Sequence, residues 1–335
     1  MTSIPDDKLL QYADRVKDKV IVITGAANGI GRETALLFAK HGAKIVIGDL
    51  DITGAKRVVG EIESAGGQGA CIKCNVTVFD EQVAMFDLAI AKYGAVDVVV
   101  PNAGIAESGA IGTLQFKNGK PVKPNTATID VNVIGVLYTV NLAHHYLKTK
   151  HSYGDLKALI MIGSMASWAG IPKAEMYSVS KHGILGLMRA LHIPLELSGI
   201  RVGVIHPFFA DTGIVPVSVK LMLAGIPLTP ITRVAGAIFY AATDPDFASN
   251  GSAWLLPDDG PVFMVPREEF KQGVYKMIDD RANSLLASAK GALYYARLFG
   301  DLWHILGKPL TLAGVAAVAA KVSWDNRNFI ATYIN

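Results

Sequence analysis

Charged residues are scarce in this chain. Only 18% of its 335 residues are Asp, Glu, Lys or Arg, whereas 51% are hydrophobic. An ordinary soluble domain has about 25% charged residues. The composition argues against a disordered chain, and it indicates a large core, buried subunit contacts or an apolar pocket.

The chain also lacks a concentration of charge of one sign. Its net charge of +3 comes from scattered Lys and Arg residues, with no basic segment interleaved with aromatic residues, so we expect no nucleic-acid partner. The opening segment, residues 1–19, contains several acidic side chains and no apolar core of the kind that a secretory signal needs. We therefore expect a cytoplasmic protein.

Only two cysteines are present, Cys71 and Cys74. Their C-x-x-C spacing is one that binds metals or performs redox chemistry, but no second pair or His-x-His partner accompanies it. In a β-strand, residues three apart point to opposite faces. We therefore expect two ordinary thiols and no metal site.

Apolar runs alternate with helical patterns along most of the chain. The seven candidate strands lie within residues 19–24, 43–50, 69–76, 96–104, 155–164, 200–207 and 252–259. Such alternation predicts an α/β fold, a doubly wound parallel seven-stranded sheet (Rossmann fold) covered on both faces. In this architecture ligands bind beyond the carboxyl ends of the strands, so functional residues should follow strands directly.

The alternation stops near Pro261. We therefore expect a catalytic domain over residues 1–261 and a mainly helical extension over 262–335 that serves as a lid, a subunit interface or a contact with a membrane surface. An apolar run at 303–322 raises the alternative of a transmembrane span, but Lys308 and Pro309 interrupt it.

A glycine-rich turn follows the first predicted strand. Residues 24–31 are Thr-Gly-Ala-Ala-Asn-Gly-Ile-Gly, and a helical pattern comes directly after them. Glycines at this spacing permit a tight turn and the close approach of a pyrophosphate to the backbone, while the helix N-terminus supplies N–H donors. The alternative is an ordinary glycine-rich turn.

Asp49 ends the next predicted strand, about twenty residues past the glycine turn. A carboxylate at that place accepts hydrogen bonds from both hydroxyls of an adenosine ribose and repels a 2′-phosphate. The pattern favours NAD over NADP. The competing interpretation is that Asp49 only caps the following helix.

Tyr177 and Lys181 are four residues apart on a predicted helix, so they share one face of it. A nearby cation favours the phenolate form of a tyrosine, whose pKa is otherwise about 10. The spacing alone is common on solvated helices, but Ser164 directly follows the predicted strand ALIMIGS. Its hydroxyl could hold a substrate oxygen while Tyr177 takes the proton, although a serine there could also be a helix cap.

Several motifs occur in the order typical of one family. They are the turn T-G-x-x-x-G-x-G at 24–31, Asn102-Ala103-Gly104, Asn132, Ser164, the pair Tyr177 and Lys181, and Thr212. Over residues 17–262 the chain resembles the short-chain dehydrogenases/reductases, and two segments resemble the NAD-linked branch of 15-hydroxyprostaglandin dehydrogenase.

This resemblance implies roles for particular residues. Tyr177 would be the general acid/base, Lys181 would lower its pKa and bind the nicotinamide ribose, Ser164 would polarise the carbonyl or alcohol, Asn132 would sustain a water-linked proton path, and Thr212 would bind the carboxamide. The residues implied in NAD binding are Gly25, Asn28, Gly29, Ile30, Gly31, Asp49, Asn75, Val76, Asn102, Ala103, Gly104, Tyr177, Lys181, Pro207 and Thr212. A homodimer or homotetramer is also implied.

The chain departs from the family pattern at three places. Asn75 replaces an Asp that accepts from the adenine amino group, and an amide oxygen can still accept. Pro101 replaces an Asn, and Phe208 replaces a glycine. None of the three changes removes a catalytic group.

The side chains expected on the substrate side are strongly apolar: Met165, Trp168, Phe208 and Phe209. They predict a hydrophobic secondary alcohol or ketone, such as a terpenoid, steroid, fatty-acid derivative or polyketide.

His144, His145, His182 and His206 show no spacing that ties them to Tyr177. Two alternatives stay open, a non-catalytic NAD-binding regulator and a membrane-surface scaffold.

Overall fold

The computed structural model describes residues 1–109, 111–149, 154–210, 212, 213, 215 and 217–270, together with scattered residues between 284 and 322. The chain divides into two compact units, Met1–Phe270 and Lys271–Asn335. Most of the expected helical extension lies outside the described residues. Its suggested roles therefore stay predictions. Within the part that is described, no helix is both long and apolar enough to cross a bilayer.

A sheet of nine described strands forms the centre of the first unit. Its strands are β1 (Thr2–Ile4), β2 (Val20–Thr24), β3 (Lys44–Asp49), β4 (Gln68–Lys73), β5 (Val98–Pro101), β8 (Ala158–Ile162), β9 (Arg201–Pro207), β10 (Ala253–Leu256) and β11 (Val262–Val265). Two short strands, β6 (Phe116–Lys117) and β7 (Lys120–Pro121), pair only with each other. The order across the large sheet is β1-β11-β10-β9-β8-β5-β2-β3-β4.

All seven predicted strands are present and pair in parallel, from β4 at one edge to β10. The predicted count of seven is incomplete, because β1 and β11 extend the sheet as antiparallel strands. The sheet thereby continues past the predicted domain boundary after residue 261. Asp259-Gly260 between two apolar runs is a hairpin signal, and the sheet continues through Val265 in a unit that ends at Phe270.

Helices cover both faces of this sheet. They are α1 (Gly29–Lys40), α2 (Ile52–Ser64), α3 (Phe79–Tyr93), α4 (Ala127–Ile129), a π-helical segment (Asp130–Gly135), α5 (Val136–Tyr146), α6 (Glu175–Leu197), α7 (Val217–Met222) and α8 (Ile231–Thr243). Short 3-10 turns occur at Asp6–Lys8, Ala13–Val16, Met165–Ser167, Phe247–Ser249 and Arg267–Phe270.

Two apolar cores result, one on each face of the sheet. Helices α1, α2 and α8 contribute to the first core, and α3, α5 and α6 contribute to the second. The doubly wound α/β fold is thereby confirmed. The two thiols lie on different sides, as their spacing predicts: Cys71 packs against the first core and Cys74 belongs to the second. Burial raises the pKa of Cys74 to about 12.

A buried ion pair joins three neighbouring parallel strands at their amino ends. Lys157 Nζ donates to Asp97 Oδ1 at 3.0 Å and to the carbonyl oxygen of Val96 at 2.8 Å. Asp97 Oδ2 accepts from the backbone N–H of Val20 at 2.8 Å. The Lys157 side chain is only 1% exposed, so its charge depends on these partners.

Replacing Asp97 by Ala should lower the free energy of unfolding by about 3–5 kcal/mol, because the ammonium of Lys157 would be left buried and unpaired. Denaturant unfolding measures this cost, and a second change of Lys157 to Met should recover part of it. The control is Asp6→Ala, which breaks a surface pair with Arg233 and should cost no more than about 1 kcal/mol. Equal costs for the two single variants would contradict the interpretation.

Candidate active site

The predicted site residues follow the carboxyl ends of strands β2, β3, β4, β5, β8 and β9. Because these strands pair in parallel, their carboxyl ends lie at one edge of the sheet. Residues that are far apart in the sequence are thereby brought together.

The glycine turn packs tightly against the segment that follows β5. Gly25 has φ +69°, and a Cβ at this residue would lie 2.7 Å from the Cα of Ala103. A Cβ at Gly31 would lie 2.4 Å from Asn102 Nδ2. Larger residues would therefore push the two segments apart, which explains why glycine occupies both positions.

Asn102 braces this turn with its side chain. Its Nδ2 donates to the carbonyl oxygens of Thr24 and Gly25 at 3.1 and 2.7 Å. Thr24 Oγ1 accepts from the backbone N–H groups of Asn102 and Ala103, both at 3.1 Å. The side-chain amide of Asn102 therefore stabilises the glycine turn. Gly104, two residues on, lies beside Asn132 Oδ1.

The carboxylate of Asp49 lies across from the glycine turn. Its Oδ2 accepts from the N–H of Ala27 at 2.8 Å, and its Oδ1 accepts from the N–H of Asp51 at 2.9 Å. Asn28, exposed and in extended conformation, precedes helix α1, and its Oδ1 accepts from Arg57 at 3.4 Å. It is Asp51, not Asp49, that caps α2, through the N–H of Gly54.

Asn75 does not offer its amide oxygen as freely as expected. Its Oδ1 accepts from both the N–H and the hydroxyl of Thr77, at 3.1 and 2.8 Å. An amide oxygen has two lone pairs, so an adenine amino group would compete with Thr77. The neighbouring Val76 packs under Gly135, where a Cβ would lie 2.8 Å from its side chain.

Ser164, Tyr177 and Lys181 come together at the edge of the sheet. Ser164 follows β8 with extended backbone, Tyr177 lies in the first turn of α6, and the Ser164 side chain is close enough to the phenol to lower its pKa. Lys181 Nζ donates to the carbonyl oxygen of Ile162 at 2.9 Å and lies 5.6 Å from the centroid of the Tyr177 ring.

Burial dominates the electrostatics of this group. It raises the pKa of Tyr177, and the hydrogen bond from Ser164 acts in the opposite direction. Burial also lowers the pKa of Lys181 to about 8. Tyr177 is therefore a protonated phenol at neutral pH, and a further positive charge nearby is needed to make it a base.

Asn132 lies within the π-helical segment, and its side chain is fully engaged. Its Oδ1 accepts from the N–H of Ile105 at 2.8 Å, and its Nδ2 donates to the carbonyl oxygen of Ile105 at 2.9 Å and to Ser180 Oγ at 3.3 Å. The amide thus ties the segment after β5 to helix α6. Its part in a water-linked proton path stays a prediction.

The predicted substrate residues separate into two kinds. Trp168 is 38% exposed, whereas Met165 packs against the second core. Pro207 ends β9, and the rings of the half-buried Phe208 and Phe209 that follow it meet edge to face at 5.1 Å. The structure therefore favours Trp168, Phe208 and Phe209 over Met165 as contacts for an apolar ligand.

Two further residues shape the site and were not predicted. Glu107 Oε2 accepts from the N–H of Tyr177 at 2.9 Å, a contact across 70 residues that no local pattern reveals. Ser167 Oγ accepts from the N–H of Ser164 at 3.3 Å and donates to the carbonyl oxygen of Lys181 at 2.8 Å. The spacing Ser164-x-x-Ser167, similar to a capping box, was a usable signal.

The site suits a dinucleotide. Thr212 lies against the glycine turn, with its Cγ2 3.6 Å from the place of a Cβ on Gly29. Its Oγ1 is buried and has no hydrogen-bond partner among the described residues. The unpaired hydroxyl of Thr212 could bind an amide group, the glycine turn a phosphate group, and the carboxylate of Asp49 a ribose.

The residues that the structure describes contain no comparable arrangement for a metal ion. In the described portion of the chain, no group of three or more His, Cys, Asp or Glu side chains is placed to hold one. Among the predicted histidines, His182 contacts the carbonyl oxygen of Ser178, and burial lowers the pKa of His144. The Nδ1 of His206 lies 3.0 Å from the backbone carbonyl oxygen of Ser164.

Comparisons with known proteins agree with this geometry. The family model described as short chain dehydrogenase matches residues 19–220. The chain is 34% identical over 235 residues to the cis-4-hydroxycyclohexanecarboxylate dehydrogenase of Sinomonas cyclohexanicum, covering 68% of this chain and 90% of that protein. It is 28% identical over 263 residues to the cyclohexanol dehydrogenase of Acinetobacter sp., covering 78% and 97%.

A solved structure leads to the same family. The 3-ketoacyl-(acyl-carrier-protein) reductase of Brucella melitensis, complexed with NADH, superposes with a TM-score of 0.64 at 27% identity, covering 73% of this chain and 98% of that one. The chain belongs to the short-chain dehydrogenase/reductase family, whose members are oxidoreductases that bind a nicotinamide cofactor.

Proposed function

We propose that this protein is an NAD-dependent oxidoreductase that transfers a hydride between the nicotinamide and a hydrophobic secondary alcohol or ketone. The observation that carries the proposal is the convergence of three side chains: Ser164 after β8 and Tyr177 in the first turn of α6, with Lys181 buried beside the Tyr177 ring. A hydroxyl pair of this kind can hold one substrate oxygen and exchange its proton.

Each of the three side chains has a distinct task in this reaction. In the oxidation direction the Ser164 hydroxyl holds the substrate oxygen, and Tyr177 takes the proton from it. Lys181 would hold the nicotinamide ribose and keep a positive charge next to the phenol. When bound, the nicotinamide accepts the hydride in oxidation or supplies it in reduction, and its oxidised form carries the additional positive charge that Tyr177 needs.

Asp49 supports NAD as the preferred cofactor. Its carboxylate is held in place by two backbone N–H groups, from Ala27 and Asp51, beside the turn that would bind the pyrophosphate. A fixed negative charge there repels a ribose 2′-phosphate. The finer resemblance to the 15-hydroxyprostaglandin dehydrogenase branch stays a prediction.

A cyclic secondary alcohol is the substrate class that we favour. Two relatives are named for oxidation of cyclohexane-ring alcohols, and Trp168, Phe208 and Phe209 supply flat apolar surface after strands β8 and β9. Such rings bind apolar ring systems through area and shape, with few polar contacts.

Self-association as a homodimer or homotetramer also stays a proposal. It is supported by exposed apolar side chains on two helices, Leu137 on α5 at 40% exposure and Val179 on α6 at 63%. The suggested role of residues 262–335 as a lid, a subunit interface or a membrane-surface contact falls almost entirely on residues that the structure does not describe.

The function predicts a specific pattern in a cofactor-coupled screen of cyclic and open-chain secondary alcohols and their ketones. NAD should be reduced with apolar cyclic alcohols, and Tyr177→Phe should abolish turnover while NADH still binds, because only the exchangeable proton is lost. Full activity of Tyr177→Phe would contradict the proposal. Tight binding of NADH with no reaction across the screen would favour the alternative of a non-catalytic regulator.

Ser164→Ala should move the rising limb of the pH profile for alcohol oxidation to higher pH. The Ser164 hydrogen bond lowers the pKa of Tyr177, so its removal raises that pKa and leaves less phenolate at a given pH. The kcat/KM should also fall by about a hundredfold, as expected for loss of a donor to the reacting oxygen. The matched control is Ser178→Ala, whose hydroxyl accepts from Ile171. An unmoved limb in Ser164→Ala would contradict the assigned role.

Asp49→Asn should reduce the preference for NAD. The ratio of kcat/KM with NAD to kcat/KM with NADP should fall by about tenfold or more, since the change removes a repulsion of at least about 1.4 kcal/mol and retains the side-chain shape. Asp51→Asn keeps the cap of α2 and removes a charge two residues away, so its ratio should stay close to that of the unaltered protein. Equal effects of both changes would mean that general electrostatics sets the preference.

A further inference from the structure

His206 is a buried histidine that the proposed chemistry does not use. It lies in β9, immediately before Pro207, and is fully buried. Its Nδ1 lies 3.0 Å from the backbone carbonyl oxygen of Ser164. A carbonyl oxygen can only accept, so Nδ1 carries the hydrogen and Nε2 carries the lone pair.

The charge state of this ring follows from its surroundings. Burial lowers the pKa of His206 to about 3, the hydrogen bond to Ser164 acts against that change, and the positive charges of Lys181 and Arg189 add to it. The imidazole is therefore neutral throughout the physiological range. Its Nε2 is buried and has no hydrogen-bond partner within the described structure, so the Ser164 carbonyl is its observed hydrogen-bonding contact.

Packing around the ring fixes its position. A Cβ on Gly163 would lie 2.5 Å from His206 Nδ1 and 2.7 Å from its Cε1, so only glycine leaves room for the imidazole. The indole of Trp168 meets the imidazole edge to face, with the ring centroids 5.7 Å apart. The ring thus touches both the strand end that carries Ser164 and an aromatic side chain of the predicted substrate side.

Ser164 is consequently held at both of its backbone polar groups. Ser167 Oγ accepts from its N–H, and His206 donates to its carbonyl oxygen. The orientation of the Ser164 side chain depends on this backbone, because Cβ and Oγ turn with it. A displacement of the Ser164 backbone would carry Cβ and Oγ with it, away from the Tyr177 hydroxyl.

We propose that His206 is a positioning residue for the reaction: its neutral Nδ1–H fixes the backbone of Ser164, and with it the hydroxyl that Tyr177 and the substrate oxygen share. The inference rests on the proposed function. In this role the Nδ1–H of His206 is the donor, the carbonyl oxygen of Ser164 is the acceptor, and loss of the bond lowers the rate.

Three variants test this inference. His206→Leu removes the donor and keeps an apolar side chain. His206→Asn keeps a nitrogen donor at the position of Nδ1, since both nitrogens are attached to Cγ. His192→Leu is the control, a buried histidine at the far end of α6 whose ring packs on Gly251 and bonds to Glu196.

Activity is measured as kcat, KM and the pH profile of alcohol oxidation, NADH binding by fluorescence, and stability by thermal unfolding. The Tyr177 phenol is titrated with saturating NAD through the absorbance of its phenolate, and the Tyr177→Phe protein provides the background. His206→Leu should lower kcat by about tenfold to a hundredfold, as a misplaced reacting group does. It should move the rising limb and the phenol titration to higher pH, with NADH affinity unchanged. His206→Asn should restore kcat to within about threefold, and His192→Leu should lower only the unfolding temperature.

Other results would overturn the inference. One is a His206→Leu protein with unaltered kcat and an unmoved phenol titration. Another is a folded His206→Asn protein as impaired as His206→Leu, which would mean that the ring's volume matters and not its donor. If the unaltered protein proves inactive toward all alcohols and ketones, the proposed function fails, whereas the titration of the phenol still decides the role of His206.

Discussion

The parallel pairing of β5 with β2 and β8 is the constraint on which the site depends. It places the ends of these strands side by side, and the space between the segments that follow them is small. The amide of Asn102 fills part of it by binding two carbonyl groups of the glycine turn. Because a Cβ at Gly25 or Gly31 would collide with the β5 segment, the turn can exist only with glycine at those positions, and the cofactor side of the site follows from that packing.

The catalytic side obeys an electrostatic constraint. A buried phenol resists ionisation, and in this structure the counteracting contact is the hydroxyl of Ser164. Three hydrogen bonds hold the backbone that carries these groups: those of Ser167 and His206 to Ser164, and that of Glu107 to the N–H of Tyr177. Under the proposed function the remaining positive charge comes from Lys181 and the bound nicotinamide, so Tyr177 would act as a base only with the cofactor in place.

Much of this arrangement could be predicted from the sequence. The strands that are buried on both faces appear as continuous apolar runs, so the seven parallel strands could be predicted. Gly25 and Ser164 directly follow such runs and Tyr177 lies on the next helix, so their placement could be predicted too. Strand β1 could not be predicted, because three residues are too few to show an alternating pattern. Strand β11 was missed because the change of direction at Asp259-Gly260 interrupts the strand–helix alternation. Contacts such as Glu107 with Tyr177 and His206 with Ser164 join residues far apart in the sequence, and their partners are defined only once the chain has folded.

The proposed function requires that a hydride moves directly from the carbinol carbon of an apolar cyclic alcohol to NAD in this site. It is tested most directly with cyclohexanol deuterated at the carbinol carbon, followed by mass analysis of the NADH formed. The NADH formed should carry one deuterium, and the product should be cyclohexanone. NADH without deuterium, or no oxidation of this alcohol or any larger cyclic alcohol, would contradict the proposed function.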